Sequence, residues 1–360
     1  MELIVVEWAV QALRVCREKY RGDFIAMIYM KKENKSLLSD YRFIDLFCGI
    51  GGFHLALSSF GAKCVFASDI NAEARKVYKQ NFKIEPFGDI KSVNEAEIPV
   101  HDILCGGFPC QAFSISGTQQ GFTDEKSGGL FFEIVRIAKY HQPKILLLEN
   151  VANLEAHDNG KSLERIKKEL KDIGYVTFAK VLNALDYNVP QCRKRIYIVA
   201  FQKNLGICEF SFPNAVRTTK HLKDILQPSE EVSNDYIVER EYSLREGYND
   251  FATTSQNPYI RIGEIGLGRQ GERIYSINGC AATLSASGGG LGGRTGMYLI
   301  DGKIRKLTPR ECARLMGFRD SFVHAETAHQ SYQQFGNSVV VDVLQRIIIC
   351  IMQTLDKEKE

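Results

Sequence analysis

The chain has 360 residues, 46 Lys and Arg against 43 Asp and Glu, a formal charge of +3, and 44% hydrophobic residues. Such a composition fills a sizeable core and excludes a disordered chain, while so mild a charge does not by itself call for nucleic acid. Its ten cysteines include no C-x-x-C pair and no flanking histidines at ligand spacing, so free thiols in a reducing cytoplasm are expected and a metal is not.

Residues 1–40 read as an appendage. Val5, Trp8, Ala12 and Cys16 fall near helical spacing, and a polar linker follows. The N-terminus lacks the basic start of a signal peptide, and no run of eighteen apolar residues offers a membrane span.

From Tyr41 a strand–turn–helix rhythm begins. Strands are predicted at residues 42–47, 63–67, 102–105, 144–148, 176–182 and 195–201, with helices at 71–81, 130–140 and 162–171. Alternation of this kind predicts a doubly wound α/β sheet. The run Lys144-Ile145-Leu146-Leu147-Leu148 has the continuous apolar character of a strand covered on both faces. Beyond Phe210 the rhythm stops, and glycines crowd residues 263–296. A smaller, loop-rich unit is expected there. Helical pattern returns at Thr308-Pro309-Arg310-Glu311, which reads as N-cap, N1 proline and capping box. A last helix is expected over 339–355. The predicted organisation is 1–40 appendage, 41–209 α/β domain, 210–304 smaller loop-rich domain and 305–360 return to the α/β domain.

Charge is unevenly spread. Residues 230–250 carry seven acidic and two basic side chains, whereas residues 261–319 carry ten basic and four acidic. The second stretch is the candidate for phosphate contact, although a solvated basic face has the same composition.

Four segments carry chemistry. The first, Asp45-Leu46-Phe47-Cys48-Gly49-Ile50-Gly51-Gly52-Phe53, runs a strand through glycines into a helix, and Asp69 ends the next strand where a ribose-binding carboxylate belongs. Gly88-Asp89-Ile90 offers an adenine contact. The glycine spacing differs from the G-x-G-x-x-G of nicotinamide enzymes, and an adenosyl cofactor without pyrophosphate fits better. In the second, Gly106-Gly107-Phe108-Pro109-Cys110-Gln111, a cysteine lies on the loop after a strand, at the edge where α/β sheets bind ligands. The third, Glu149-Asn150-Val151, puts a carboxylate at the end of an apolar strand; desolvation there favours the protonated form, though helix capping is an equally good use for it. In the fourth, Gln191-Cys192-Arg193-Lys194-Arg195, alternation turns Arg193 and Arg195 to one face, and a solvated edge strand is the plainer alternative.

Together with Gln334-Phe335-Gly336-Asn337-Ser338-Val339, these segments resemble, in order and spacing, the bacterial DNA (cytosine-5) methyltransferases, over about residues 41–350. The resemblance implies transfer of a methyl group from S-adenosyl-L-methionine to C5 of a flipped cytosine in double-stranded DNA, within a restriction-modification system. It assigns Cys110 as nucleophile, Glu149 to N3 and the amine, and Arg195 and Arg193 to the base oxygen and transient charge. Cofactor contacts carry over to Phe47, Gly49, Gly51, Asp69, Asp89, Ile90, Leu130 and Asn337. Residues 111–126 resemble the loop that closes over the base, with Ser116 entering the vacated space. Gly268-Arg269-Gln270-Gly271-Glu272-Arg273 and Thr283-Leu284-Ser285-Ala286 resemble recognition loops of enzymes that methylate GCGC, which places Gln270, Arg273 and Thr283 on DNA. The chain departs from the family pattern at Asp69, where glutamate is common, and at Ile70, where an aromatic is common. A cytoplasmic, nucleoid-associated monomer acting without metal or membrane is expected. A tRNA cytosine-5 methyltransferase is the alternative, with a catalytically silent regulator and a nicotinamide oxidoreductase behind it.

Overall fold

A computed structural model describes residues 38–108, 129–216, 219–253, 258–286 and 295–357. The proposed appendage up to residue 37, Cys110, Ser116, the closing loop and the glycine run 288–293 lie outside the described residues.

Two sheets organise the chain. The first has six strands, β1 (Arg42–Leu46), β2 (Lys63–Ser68), β3 (Ile103–Gly107), β4 (Ile145–Val151), β5 (Tyr175–Asn183) and β6 (Lys194–Gln202), in the order β2-β1-β3-β4-β6-β5. Pairing is parallel from β2 to β4, and β6 then enters antiparallel between β4 and β5. No α-helix separates β5 from β6, so the chain doubles back as hairpins do.

Successive side chains of a strand point to opposite faces, and both faces here are apolar. Ile145, Leu147, Tyr197, Val199 and Phe201 face a core shared with α1 (Gly52–Ser58) and the C-terminal α7 (Val341–Lys357). Leu146, Leu148, Ile196, Ile198 and Ala200 face another, closed by α3 (Gly129–His141) and α4 (Lys161–Asp172). Each such leucine stabilises the fold by about 1.5–3 kcal/mol. Between these helices in sequence lies α2 (Ala72–Phe82), whose N-cap Asn71 accepts from the N–H groups of Glu73 and Ala74.

The second sheet has five short strands in the order β11-β10-β9-β8-β7: β7 (Tyr242–Leu244), β8 (Arg261–Ile265), β9 (Arg273–Ser276), β10 (Met297–Ile300) and β11 (Lys303–Arg305). Its own core is small, built on Ile260, Ile262, Ile265, Ile274, Met297 and Ile304. A buried ion pair closes its base. Arg305 donates to both carboxylate oxygens of Glu311 at 2.7 and 2.8 Å, and that carboxylate also accepts from the N–H groups of Gln227 and Thr308.

The chain returns through α5 (Pro309–Leu315), α6 (Ala328–Asn337) and α7. The predicted capping box is present: Thr308 accepts from Glu311 N–H while Glu311 accepts from Thr308 N–H. The stretch Ala328–Lys357 is long and apolar enough to span a membrane by length and composition alone, although Asp342, Gln345 and Arg346 interrupt its apolar run. Its apolar side chains, among them Leu344, Ile347, Ile348 and Ile351, are buried against the first core, as expected of a core helix.

Candidate active site

The glycine loop leaves β1 in alternating left-handed steps, with φ of 54° at Phe47, 52° at Gly49 and 88° at Gly51. Glycine accepts this conformation freely; Phe47 does so at a cost of about 1–3 kcal/mol, a strain typical of ligand-binding turns. Asp69 ties the loop from the neighbouring strand. Its carboxylate accepts from Gly49 N–H and Asn71 N–H, both at 2.8 Å, and burial raises its pKa against these bonds. The short aspartate therefore spends both oxygens on backbone, while Ile70 beside it is 76% exposed.

A cleft of about 730 Å³ opens over this loop, in the range usual for small-ligand sites. Phe47, Gly49, Asp69 and Asn337 line it with Asn71, Glu73, Gln330, Gln333 and Gln334, and Glu149, Arg193 and Arg195 line it as well. The amides and Glu73 escaped the sequence reading; their signal was an N-cap ahead of α2 and the polar face of α6. Gly51, Asp89, Ile90 and Leu130 do not line the cleft. Gly51 faces the rings of Phe82 and Tyr78, Asp89 caps a turn through Lys91 N–H, and Ile90 and Leu130 belong to the second core.

Glu149 sits near the end of β4, beside Gly107 of β3, where an added Cβ would lie 3.4 Å from its Oε2. Antiparallel pairing sets Val151 opposite Arg195 and so brings Arg195 Nε to 3.1 Å from Glu149 Oε1. Burial raises the Glu149 pKa, and Arg195 and then Arg193 offset only part of it. A carboxyl desolvated in this way keeps its proton above the ordinary carboxylate range and can hydrogen-bond a flat polar ring. Asn150 donates from Nδ2 to Phe108 O at 2.9 Å, which fixes the chain two residues before Cys110.

Arg193 behaves differently from Arg195. It precedes β6, is 2% exposed, and donates to the carbonyls of Leu284, Gly336 and Ser338. Its Nε has no partner among the described residues, and burial lowers its pKa to about 9.

Burial also sorts the thiols. Cys48, Cys64, Cys105, Cys280, Cys312 and Cys350 all have pKa values raised by desolvation, which makes them poor nucleophiles. No group of three His, Cys, Asp or Glu fit to hold a metal occurs among the described residues.

On the second sheet, Gln270 is exposed on the β8–β9 connection, and Arg273 directs Nε to Gly268 O at 3.4 Å. Thr283 spends its hydroxyl on Cys192 O. The basic count of residues 261–319 overstates the charge available to phosphate. Arg305 is buried on Glu311, Arg314 pairs with Asp320, Arg261 pairs with Glu264, and Arg310 donates to carbonyls.

A doubly wound sheet with a nucleoside-type glycine loop, joined in one cleft to a buried glutamate paired with an arginine, defines a group-transfer enzyme of the S-adenosylmethionine-dependent class. More narrowly, the chain belongs to the C-5 cytosine-specific DNA methylase family, whose pattern matches residues 41–353. It is 50% identical to Type II methyltransferase M.HhaI of Haemophilus parahaemolyticus, across 89% of this chain and 96% of that protein. It is 39% identical to M.HpaII of Haemophilus parainfluenzae, across 88% and 91%. Among solved structures, S. pombe Dnmt2 shares the fold with a TM-score of 0.66 at 22% identity, covering 88% of this chain and 99% of that one. The protein is thus a DNA (cytosine-5-)-methyltransferase of the restriction-modification type that uses S-adenosylmethionine as methyl donor. The polar loop, amide wall and volume of the cleft suit a nucleoside bearing an amino-acid tail.

Proposed function

We propose that the enzyme methylates a cytosine flipped out of duplex DNA, at a short GC-rich palindrome with a GCGC core, through a temporary bond to Cys110. The pairing of Glu149 with Arg195 at 3.1 Å in the lining of the donor cleft carries this reading.

C5 of cytosine is a poor nucleophile, so the ring must first be activated. The Cys110 thiolate adds to C6, and the displaced π electrons move toward N3 and O2. Glu149 donates its proton to N3 and accepts from the exocyclic amine, while Arg195 donates to O2. C5 thereby becomes enamine-like; the bound donor supplies the electrophilic methyl group. Loss of the C5 proton to a base then restores the C5–C6 double bond and expels the Cys110 thiolate, and N3 returns its proton to Glu149.

Phe47, Gly49, Asp69 and Asn337 hold the donor in the cleft, with Gly51 shaping the loop. Ser116 fills the gap left by the base, Gln270 enters beside it, and Arg273 reads a guanine edge. Thr283 acts through its backbone segment. The protein works as a monomer in the cytoplasm, with residues 41–209 and 305–360 as catalytic domain and 210–304 as recognition domain.

A GCGC duplex with 5-fluorocytosine at the target tests this, because fluorine cannot leave as the proton does. With S-adenosylmethionine present, a complex resistant to denaturing electrophoresis is expected, and Cys110→Ala should abolish it. Absence of the adduct on every GC-rich duplex, or methylation of tRNA in preference to DNA, overturns the reading.

A further inference from the structure

Arg193 holds three carbonyls from two parts of the chain. Its Nη1 donates to Leu284 O at 2.8 Å, and its Nη2 donates to Gly336 O at 2.8 Å and Ser338 O at 2.7 Å. Gly336 and Ser338 flank Asn337 at the C-terminal end of α6, where carbonyls lack helical partners and the helix dipole is negative. Gly336 and Ser338 also line the donor cleft. Leu284 belongs to the segment read above as part of the recognition domain.

That segment is fastened along its length to the residues around Arg193. Ala281 N–H donates to Pro190 O, Cys192 N–H donates to Ala281 O, and Leu284 N–H donates to Gln191 Oε1. Gln191 in turn donates to Leu315 O at the end of α5. On the other side, Gly336 is packed so tightly that an added Cβ would lie 2.4 Å from Ala286 N. The strand that begins beside Arg193 carries Arg195 to Glu149. Displacement of residues 284–286 therefore cannot occur without disturbing Arg193, the turn at 336–338 and the wall of the donor cleft.

We propose that Arg193 is a positioning residue, and not a catalytic one, that couples DNA engagement by residues 283–286 to donor binding at residues 336–338. The inference rests on the reading of 283–286 as a recognition segment. Burying a guanidinium is costly, and three carbonyls from separate segments are the return that justifies it. Coupling between two sites is reciprocal, so it is readable from either side.

The test is the dissociation constant of S-adenosylhomocysteine, measured by calorimetry alone, with the duplex the enzyme methylates, and with a scrambled duplex. For the wild type, tightening of about tenfold is expected with the methylated duplex and under about twofold with the scrambled one. Arg193→Lys keeps the charge but cannot span three carbonyls, and the tenfold ratio should fall below about threefold. Gln191→Met leaves Arg193 intact and cuts the tie to Leu284, so it should lower the ratio as well; it carries the test if Arg193→Lys fails to fold. A purely structural arginine would lower stability or donor affinity while leaving the ratio unchanged. Ratios equal to wild type in the folded variants, or no tightening in the wild type, overturn the inference. Failure of the wild type to methylate any duplex instead overturns the proposed function, which keeps the two failures apart.

Discussion

The two sheets are stabilised in different ways. The six-stranded sheet is buried on both faces, and β4 from Ile145 to Leu148 is at most 1% exposed. The five-stranded sheet has strands of three to five residues and a core of six buried apolar side chains. It is joined to the first by apolar packing of Tyr275, Tyr298 and Ile300 into the larger core, and by polar contacts, Arg305 with Glu311 at its base and Leu284 with Gln191 and Arg193 beside the cleft. Apolar burial is non-directional and makes a rigid platform; buried polar contacts are directional and fix one docking geometry. Lesions in the first sheet's site should therefore cost chemistry, and lesions at the polar contacts should cost docking.

The largest effect should come from Glu149→Gln, which keeps shape and removes the acid. A fall in kcat of about 10²–10⁴-fold is expected, with little change in donor affinity. The pH profile sharpens this. Because burial raises the Glu149 pKa, its protonated form persists above the ordinary carboxylate range, and the wild-type rate should decline as pH rises through the raised value. The linkage has the same sign. The stability contributed by the proton is full below the unfolded value near 4.5 and is lost as pH rises through the folded one. Single-turnover rates across pH should show that limb in the wild type and not in Glu149→Gln; a limb that persists assigns the titration to another group.

The two sheets also differed in legibility. Every strand of the first was visible as an apolar run, because burial on both faces leaves few polar interruptions. The antiparallel entry of β6 was not, since strand order is a long-range property. Glu149 could be read as a strand-end carboxylate, but its distance to Arg195 follows from the Val151–Arg195 pairing, which no local pattern encodes. Arg193 and Arg195 look equivalent by alternation; burial among carbonyls separates them. The strands of the second sheet are too short for periodicity to register, and the glycines around Gly266 and Gly268 masked them as loops. Charge counting failed there because it cannot distinguish an arginine paired inside from one facing water.

Docking should yield to Glu311→Gln. The carboxylate is fully buried, and its neutralisation leaves Arg305, itself 3% exposed, as an uncompensated cation. Loss of about 3–5 kcal/mol is expected from urea unfolding. Hydrogen exchange should show the amides of β8–β10 losing protection before those of β3 and β4. Uniform loss across both sheets would mean that the base of the second sheet is not a separable joint.

The smallest effect isolates one polar tie. Thr308 and Thr327 both cap helices, accepting from Glu311 N–H and Gln330 N–H at 3.2 Å in each case. Thr327 donates its hydroxyl to Gln330 within its own helix, whereas Thr308 donates to Gln227, where the chain enters the region of the second sheet. Replacement by alanine should cost about 1 kcal/mol at either cap. Thr308→Ala should cost about 1 kcal/mol more, because it also strands the Gln227 oxygen. Urea midpoints at a common m-value read the difference directly. Equal costs would show that the Gln227 contact adds nothing to the joint, and would leave the Arg305–Glu311 pair to account for it.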